Sequence, residues 1–536
     1  MILRVARRFR ECCPGRRDLL VGISLANLCL LPFWNETLQP GNTWVYLAQS
    51  APTPAVYAAA IAAVVISGLV CAVGLWWIKS SPDVWRRWIG AIVVVVLALA
   101  SLNGLRAALA VRIPSLQLGG ALVLVRKLRH WPLVAALAGL SGLACLTLFW
   151  LKARRRLLAA AELVLLALSP FVAVTFGRSL WAMVTFDGSG FSDQHFVPPS
   201  RGNGRQLRRV IWIIFDEWDQ RLTSETRLQL PHFYAFRTEA ISACSAFPPG
   251  SDTLRSMSSL IIGRIVTEVR VEGPNRLCLA LANGQRSWLG SEPTLFSDVW
   301  ANGGKAAAVG WQVPYGRLFG KHLARCWWTG VPQRWNAVDG GFWEILQWQF
   351  RGMFEGSSVS PFGQPVMLRR YATVYQRILE HGRQAVLDPE IALALVHFSI
   401  PHMPRIYESR KDRLDARLWT PAGYIENLKL VDRTVGALRA ALEQAGLWES
   451  TTVLLSSDHW FRDSARLDGK VDHRVPFLLK LAGQKRGITY DKPFNTVLTH
   501  DLLLAILRGE LTTPEEVVAW LDVHRLTPEG QYRPTS

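Results

Sequence analysis

The sequence predicts a membrane bundle of about five helices followed by an α/β domain with a mostly parallel central sheet. Three observations predict it. Five long apolar runs crowd into the first 178 residues. The same third of the chain carries most of the positive charge. From Arg208 onward, short strand-like runs alternate with longer amphipathic ones. At 50% hydrophobic over 536 residues, the composition excludes a disordered chain and a small disulfide-stapled module.

The apolar runs lie near 18–34, 54–78, 88–111, 131–151 and 157–177. Each approaches the roughly 20 residues a helix needs to cross a bilayer. The second begins at Pro54 and meets no charge until Lys79. Such runs have almost no polar face to turn to water, which argues against the core helices of a soluble protein. Four further runs after the first argue against a cleaved signal peptide.

The charge distribution supplies an orientation. Residues 1–178 hold 19 Lys+Arg against five Asp+Glu, a net +14 of the formal +19, which leaves +5 for the other 358 residues. Six Arg precede or open the first run, loop 35–53 has no Lys or Arg, and loop 79–87 has Lys79, Arg86 and Arg87. Loop 152–156 reads Lys-Ala-Arg-Arg-Arg. The positive-inside rule then puts the N-terminus inside and the C-terminal domain outside. Loop 112–130, with Arg112, Arg126, Lys127 and Arg129, runs against this pattern. Arg106, inside the third run, reads as a snorkelling side chain, with part of a polar site as the alternative. The basic excess thus records orientation, and no nucleic-acid partner is expected.

The expected organisation is a transmembrane domain over 1–178, a linker over 179–207 and an outer domain over 208–536. The linker contains Asp187-Gly-Ser-Gly and Pro198-Pro-Ser-Arg-Gly-Asn-Gly. Trp181 and Phe186 near its start suit a membrane interface. Cys244, Cys278 and Cys326 in the outer domain allow one disulfide and one free thiol, and their spacing matches no zinc finger.

In the outer domain, Val210–Phe215, Ala306–Val309, Ile391–Val396 and Thr452–Ser456 read as buried strands, and 422–445 reads as a helix. This alternation predicts a parallel sheet with ligands at the carboxyl ends of its strands. The residues just past those ends are therefore the candidates. Asp216-Glu217 ends the first strand and suits a divalent cation, or else a helix cap. Thr253 follows a Gly250-containing turn at a helix start, where anionic groups are favoured. His397 and His402 lie in His-Phe-Ser-Ile-Pro-His-Met-Pro. Asp458-His459 follows another strand, and Asp472-His473 comes fourteen residues after His459. Carboxylates, a hydroxyl and imidazoles together suit Zn²⁺ or Mn²⁺, with Ca²⁺ or Mg²⁺ as alternatives.

Taken in order, these motifs resemble the alkaline phosphatase/sulfatase superfamily. The segment from Thr253 through Leu260 to Gly263-Arg264 is similar to the sulfatase signature, with Thr253 at the nucleophile. Met257 replaces the Arg of that signature, which disfavours a formylglycine sulfatase. A Thr nucleophile, five spans and an outer domain look like the lipid A phosphoethanolamine transferases and the lipoteichoic acid synthase-type phosphoglycerol transferases. Tyr424, Asn427 and Asp432 resemble a Tyr-x2-Asn-x4-Asp helix of that group. Asp216-Glu217 in place of Gly-Glu, and Trp460 in place of Gly after Ser-Asp-His, depart from it.

The resemblance implies Asp216, Glu217, Thr253, Asp458 and His459 as metal ligands. It implies Thr253 as nucleophile, and His397, His402 and His473 as phosphoryl contacts or proton carriers. Arg255, Arg405, Arg462 and Arg474 are candidate phosphate partners. The implied activity moves a phosphoethanolamine- or phosphoglycerol-like group from a phospholipid donor to an envelope glycan or lipid. The implied location is the bacterial inner membrane, with the C-terminal domain periplasmic. A phosphodiesterase or phosphatase, and a non-catalytic envelope scaffold or sensor, are the alternatives.

Overall fold

The computed structural model describes residues 13–39, 43–110, 156, 159–198, 207–224, 228–333, 335, 340–353, 366–417 and 421–525. Its contacts group the chain into two units that interleave along the sequence. One comprises Met1–Asn42, Pro52–Asp187 and Arg334–Pro365, and the other Thr43–Ala51, Gly188–Gln333 and Val366–Ser536. The simple succession of 1–178, 179–207 and 208–536 does not anticipate the two exchanged segments.

In the first unit, α1 (Arg16–Cys29) and α2 (Leu31–Thr37) form a pair bent by 62°. Pro32, near the start of α2, cannot donate the hydrogen bond that would continue α1, and the break falls there. Then come α3 (Pro54–Ser80), α4 (Val84–Ala110) and α5 (Ser169–Val184). Pro54–Ser80, Val84–Arg106 and Ala159–Val184 are long and apolar enough to cross a membrane, and the bent pair makes a fourth candidate. The expected run at 131–151 lies outside the described residues, as do loops 112–130 and 152–155. Among the described residues there are thus three or four candidate spans, and the five expected are not confirmed.

The second unit is an α/β domain. Its strands in chain order are β1 (Val210–Asp216), β2 (Ile241–Phe247), β3 (Val266–Gly273), β4 (Arg276–Leu281), β5 (Arg286–Leu289), β6 (Lys305–Trp311), β7 (Leu323–Thr329) and β8 (Ile391–Pro401). They continue with β9 (Arg405–Glu408), β10 (Arg413–Arg417), β11 (Thr452–Ser457), β12 (Val475–Lys480), β13 (Ile488–Tyr490) and β14 (Phe494–Asn495). Nine strands form the main sheet in the order β13-β2-β12-β11-β1-β8-β6-β7, with β14 also on β2. Pairing is parallel except where β12 meets β11 and β2.

Strand alternation divides the core. Val210, Trp212 and Ile214 join one apolar cluster, and Ile211, Ile213 and Phe215 join the other. Helix α6 (Thr253–Ile262) covers the first face, together with α10 (Thr499–Leu507). Helices α8 (Val366–Leu387) and α9 (Pro421–Gln444) cover the second. The remaining helix to be named, α7 (Phe342–Gly352), belongs to the first unit, where it packs on α3. Both sheet faces are covered, so β1 reads as a continuous apolar run and stops at its first charge, Asp216. Cys244, Cys278 and Cys326 carry free thiols, so the disulfide that their number allowed is not formed.

Candidate active site

Strands β8, β1 and β11 run parallel and side by side, and their carboxyl ends carry the reactive groups. Ile214 pairs with His397 on one side and with Ser456 on the other. Asp216 and Asp458, each two residues further on, therefore leave neighbouring strands at the same level. Ligand atoms of Asp216, His397 and Asp458 lie within 4.8 Å of one another, and all three side chains are buried. His459 Nε2 sits 3.4 Å from Asp216 Oδ1 and 3.5 Å from Asp458 Oδ2.

The hydrogen bonds around this cluster decide what it can hold. His459 Nδ1 lies 2.9 Å from the Trp460 carbonyl, which fixes the proton on Nδ1 and leaves a lone pair on Nε2. Asp458 Oδ1 already accepts from the backbone N–H of Glu217 and of His459, at 3.2 and 2.8 Å. Both oxygens of Asp216, Asp458 Oδ2, His397 Nε2 and His459 Nε2 remain buried with no hydrogen-bond partner among the described residues. Buried acceptors facing one another without a donor are costly. A divalent cation satisfies all of them, and the mixed oxygen and nitrogen set fits one.

Electrostatics agree with that assignment. Burial, then the neighbouring Asp458 and Glu217 carboxylates, push Asp216 well above the usual carboxylate range. Burial acts the same way on Asp458, but the adjacent His459 and His397 rings and the Thr253 hydroxyl hold it below its ordinary value. Burial lowers His397 to about 4, so its ring is the neutral, ligating form. Its Nδ1 lies 3.1 Å from the hydroxyl of Tyr315, which is also buried. Sequence reasoning missed Tyr315. Its only signal was an aromatic ring placed shortly after the β6 run.

Thr253 is the first residue of α6, and the cap of that helix is the preceding Asp252, which accepts from the Arg255 N–H at 3.0 Å. The Thr253 hydroxyl is thus not spent on capping, and it favours the charged form of the Asp458 carboxylate. Glu217 departs from the expected ligand set. It adopts a left-handed backbone with φ of +63°, and its carboxylate meets Arg462 at 2.7 Å. Tyr424 fixes that turn by donating to the Glu217 carbonyl at 2.7 Å while accepting from the Asp219 N–H at 3.0 Å.

The remaining candidates flank the cluster. His402 donates its backbone N–H to the Asp216 carbonyl at 3.0 Å, and its ring lies edge-on to Trp311. The His473 ring lies 4.4 Å from that of Trp460. Among the candidate arginines, Arg255 pairs with Asp252, Arg405 with Asp415 and Arg474 with Asp472. Arg462, held by Glu217, is the one whose charge acts on both Asp216 and Asp458. Asn427 also escaped a functional reading from sequence. Its amide nitrogen donates to the carbonyls of Pro401, His402 and Pro404, and its oxygen accepts from the Ile406 N–H.

Residues 269–498 match the family model for type I phosphodiesterase/nucleotide pyrophosphatase. The match spans His397, Asp458 and His459, and begins after Thr253. Solved structures similar to this chain include the PsFucS1 sulfatase from Pseudoalteromonas sp., 14% identical over 62% of this chain and 74% of that one, with a TM-score of 0.40. A phosphonate monoester hydrolase from Silicibacter pomeroyi is 14% identical over 56% and 73%, with a TM-score of 0.39. The lipoteichoic acid synthase LtaP from Listeria monocytogenes is 12% identical over 59% and 76%, with a TM-score of 0.37. No curated protein matches the sequence.

Proposed function

We propose that this protein is a membrane-anchored phosphotransferase that moves a phosphoethanolamine- or phosphoglycerol-like group from a phospholipid to an envelope glycan or lipid. The observation that supports it best is the buried set of unpaired ligand atoms on Asp216, His397, Asp458 and His459, where Asp216, His397 and Asp458 converge. The apolar helices supply a reason for a lipid donor, whose phosphate lies at the bilayer surface. In this reading the catalytic domain faces the periplasm.

Asp216, His397, Asp458 and His459 would hold the metal. A divalent cation bound there lowers the pKa of a nearby hydroxyl and offsets charge on the transferring oxygens. Asp458 orients the Thr253 hydroxyl by accepting its hydrogen bond. Thr253 Oγ1 attacks phosphorus, the bond from phosphorus to the diacylglycerol oxygen breaks, and diacylglycerol leaves with a proton. His402 and His473 are the proton carriers of this scheme. Arg462, steadied by Glu217, places positive charge beside the phosphoryl oxygens. An acceptor hydroxyl then displaces Thr253 from phosphorus, and the Thr253 hydroxyl is restored.

Peptide mass spectrometry of protein incubated with phosphatidylethanolamine and phosphatidylglycerol tests this. A substituted-phosphoryl adduct on Thr253 is expected, together with loss of turnover in Thr253→Ala by at least about a thousandfold. Normal turnover by that variant would sink the reading. The matched family favours a second reading, a phosphodiesterase with water as the acceptor. Product analysis with and without a glycan acceptor separates the two, because a hydrolase releases the same product in both.

A further inference from the structure

We infer that the carboxyl end of α5 carries a binding site for the phosphate of a membrane phospholipid. It is a groove of about 300 Å³ within the first unit. Residues 37–39, at the end of α2 and just past it, form one wall, and Gly177, Arg178, Trp181 and Ala182 of α5 form the other. Those four positions fall on one helical face. A different face of α5 is packed, with Thr175 donating to Asn27 of α1 at 3.1 Å and Ser179 buried.

The chemistry of the groove is that of an anion site at a bilayer surface. Among the described residues that line it, Arg178 is the single charged side chain and none is a carboxylate. Among the described residues Arg178 has no ion-pair or hydrogen-bond partner. A guanidinium near the end of an apolar span reaches toward the headgroups, where it meets phosphate. Trp181, one turn further on, is 70% exposed and suits the same level. A side chain at Gly177 would meet nothing within 4 Å, so the groove floor is open there. Val174, Leu180 and Val184 are exposed along the same helix and offer apolar surface to acyl chains. Beyond Val184 the chain continues to Gly188, where the second unit resumes.

This inference rests on the reading that the apolar helices cross a membrane, and it deepens the donor assignment without using the Thr253 chemistry. Native mass spectrometry of the full chain in mild detergent tests it. The probes are dioleoylphosphatidylethanolamine, dioleoylphosphatidylglycerol, dioleoylglycerol and inorganic phosphate. Both phospholipids should be retained, and dioleoylglycerol at least roughly tenfold more weakly. Arg178→Ala should weaken phospholipid retention roughly tenfold, and Arg178→Lys should recover part of it. Gly177→Phe should fill the groove and exclude the lipid, with Gly177→Ala as a milder control for folding. Equal retention by the wild type, Arg178→Ala and Gly177→Phe overturns the inference. Displacement of the lipid by millimolar inorganic phosphate overturns the lipid assignment. Thr253→Ala should bind lipid as the wild type does. Failure of transfer with Arg178-dependent binding intact counts against the transferase reading alone.

Discussion

At the scale of single residues, Tyr315 shows how a group outside the motifs can govern one inside them. The Tyr315 hydroxyl meets His397 Nδ1, which sets the ring so that Nε2 faces the Asp216 and Asp458 carboxylates. Groups that orient a ligating imidazole typically contribute 10- to 100-fold in metal affinity. Tyr315→Phe should therefore weaken Zn²⁺ or Mn²⁺ binding by about that factor, read by calorimetry on the intact protein. Unchanged affinity would remove Tyr315 from the site. His500 offers a different residue-scale test, away from the cluster. Its ring meets Asp501 at 2.8 Å and Asp298 at 3.3 Å. Burial opposes the charged form, but the two carboxylates outweigh it and raise the pKa. A raised value means that the stabilisation is fully present below the unfolded value of about 6.5, and is lost as pH rises through the folded one. The melting gap between wild type and His500→Gln should thus be widest near pH 6 and narrow in alkaline buffer. A gap that widens with pH would show that His500 is neutral in the fold.

At the scale of elements, α6 and α9 hold the site by their ends and sides. Helix α6 stops at Gly263, whose φ of +68° is the left-handed cap. A Cβ there would also come within 2.9 Å of the His500 ring. Arg264 then ties the exit to Glu292 at 3.1 Å. The Gly-Arg pair legible in the sequence thus ends the helix that presents Thr253. Helix α9 works through Tyr424, Asn427 and Asp432. Asp432 accepts the Phe233 N–H at 2.7 Å, while Asn427 gathers the loop after β8. The spacing of these three residues was visible in the sequence, but their partners are 21 to 207 residues away and were not. Asn427→Ala strips several buried carbonyls of their donor, at a cost of about 1–3 kcal/mol. It should lower the melting temperature by a few degrees and raise KM more than Thr253→Ser does. A variant with wild-type melting and KM would deny α9 that role.

At the scale of the whole molecule, local signals were read well and crossings between chain segments were not. The strand ends were legible because each apolar run stops at a polar residue with a chemical use. The charge excess was legible because it divides at one boundary. The exchange of segments between units has no such local mark, since it depends on who packs against whom. Residues 43–51, which lie between α2 and α3 in the chain, belong to the second unit. Arg317 explains their place there. It is 1% exposed, lies between the Phe191 and Trp328 rings at 5.0 and 4.9 Å, and donates to the carbonyls of Tyr46 and Ala48 at 2.7 and 3.0 Å. Burial lowers its pKa only to about 10, so it stays cationic at neutral pH. Two backbone acceptors and two ring faces are then served by one side chain. Arg317→Ala leaves both carbonyls unsatisfied and opens a cavity between the rings, a loss of about 2–4 kcal/mol. The expected result is that limited proteolysis cuts the full chain within 43–51 in Arg317→Ala, while the wild type resists there. Arg317→Lys, which keeps the charge but loses the planar fork, should fall between them. Equal resistance in all three proteins would mean that the segment is held by something other than this guanidinium.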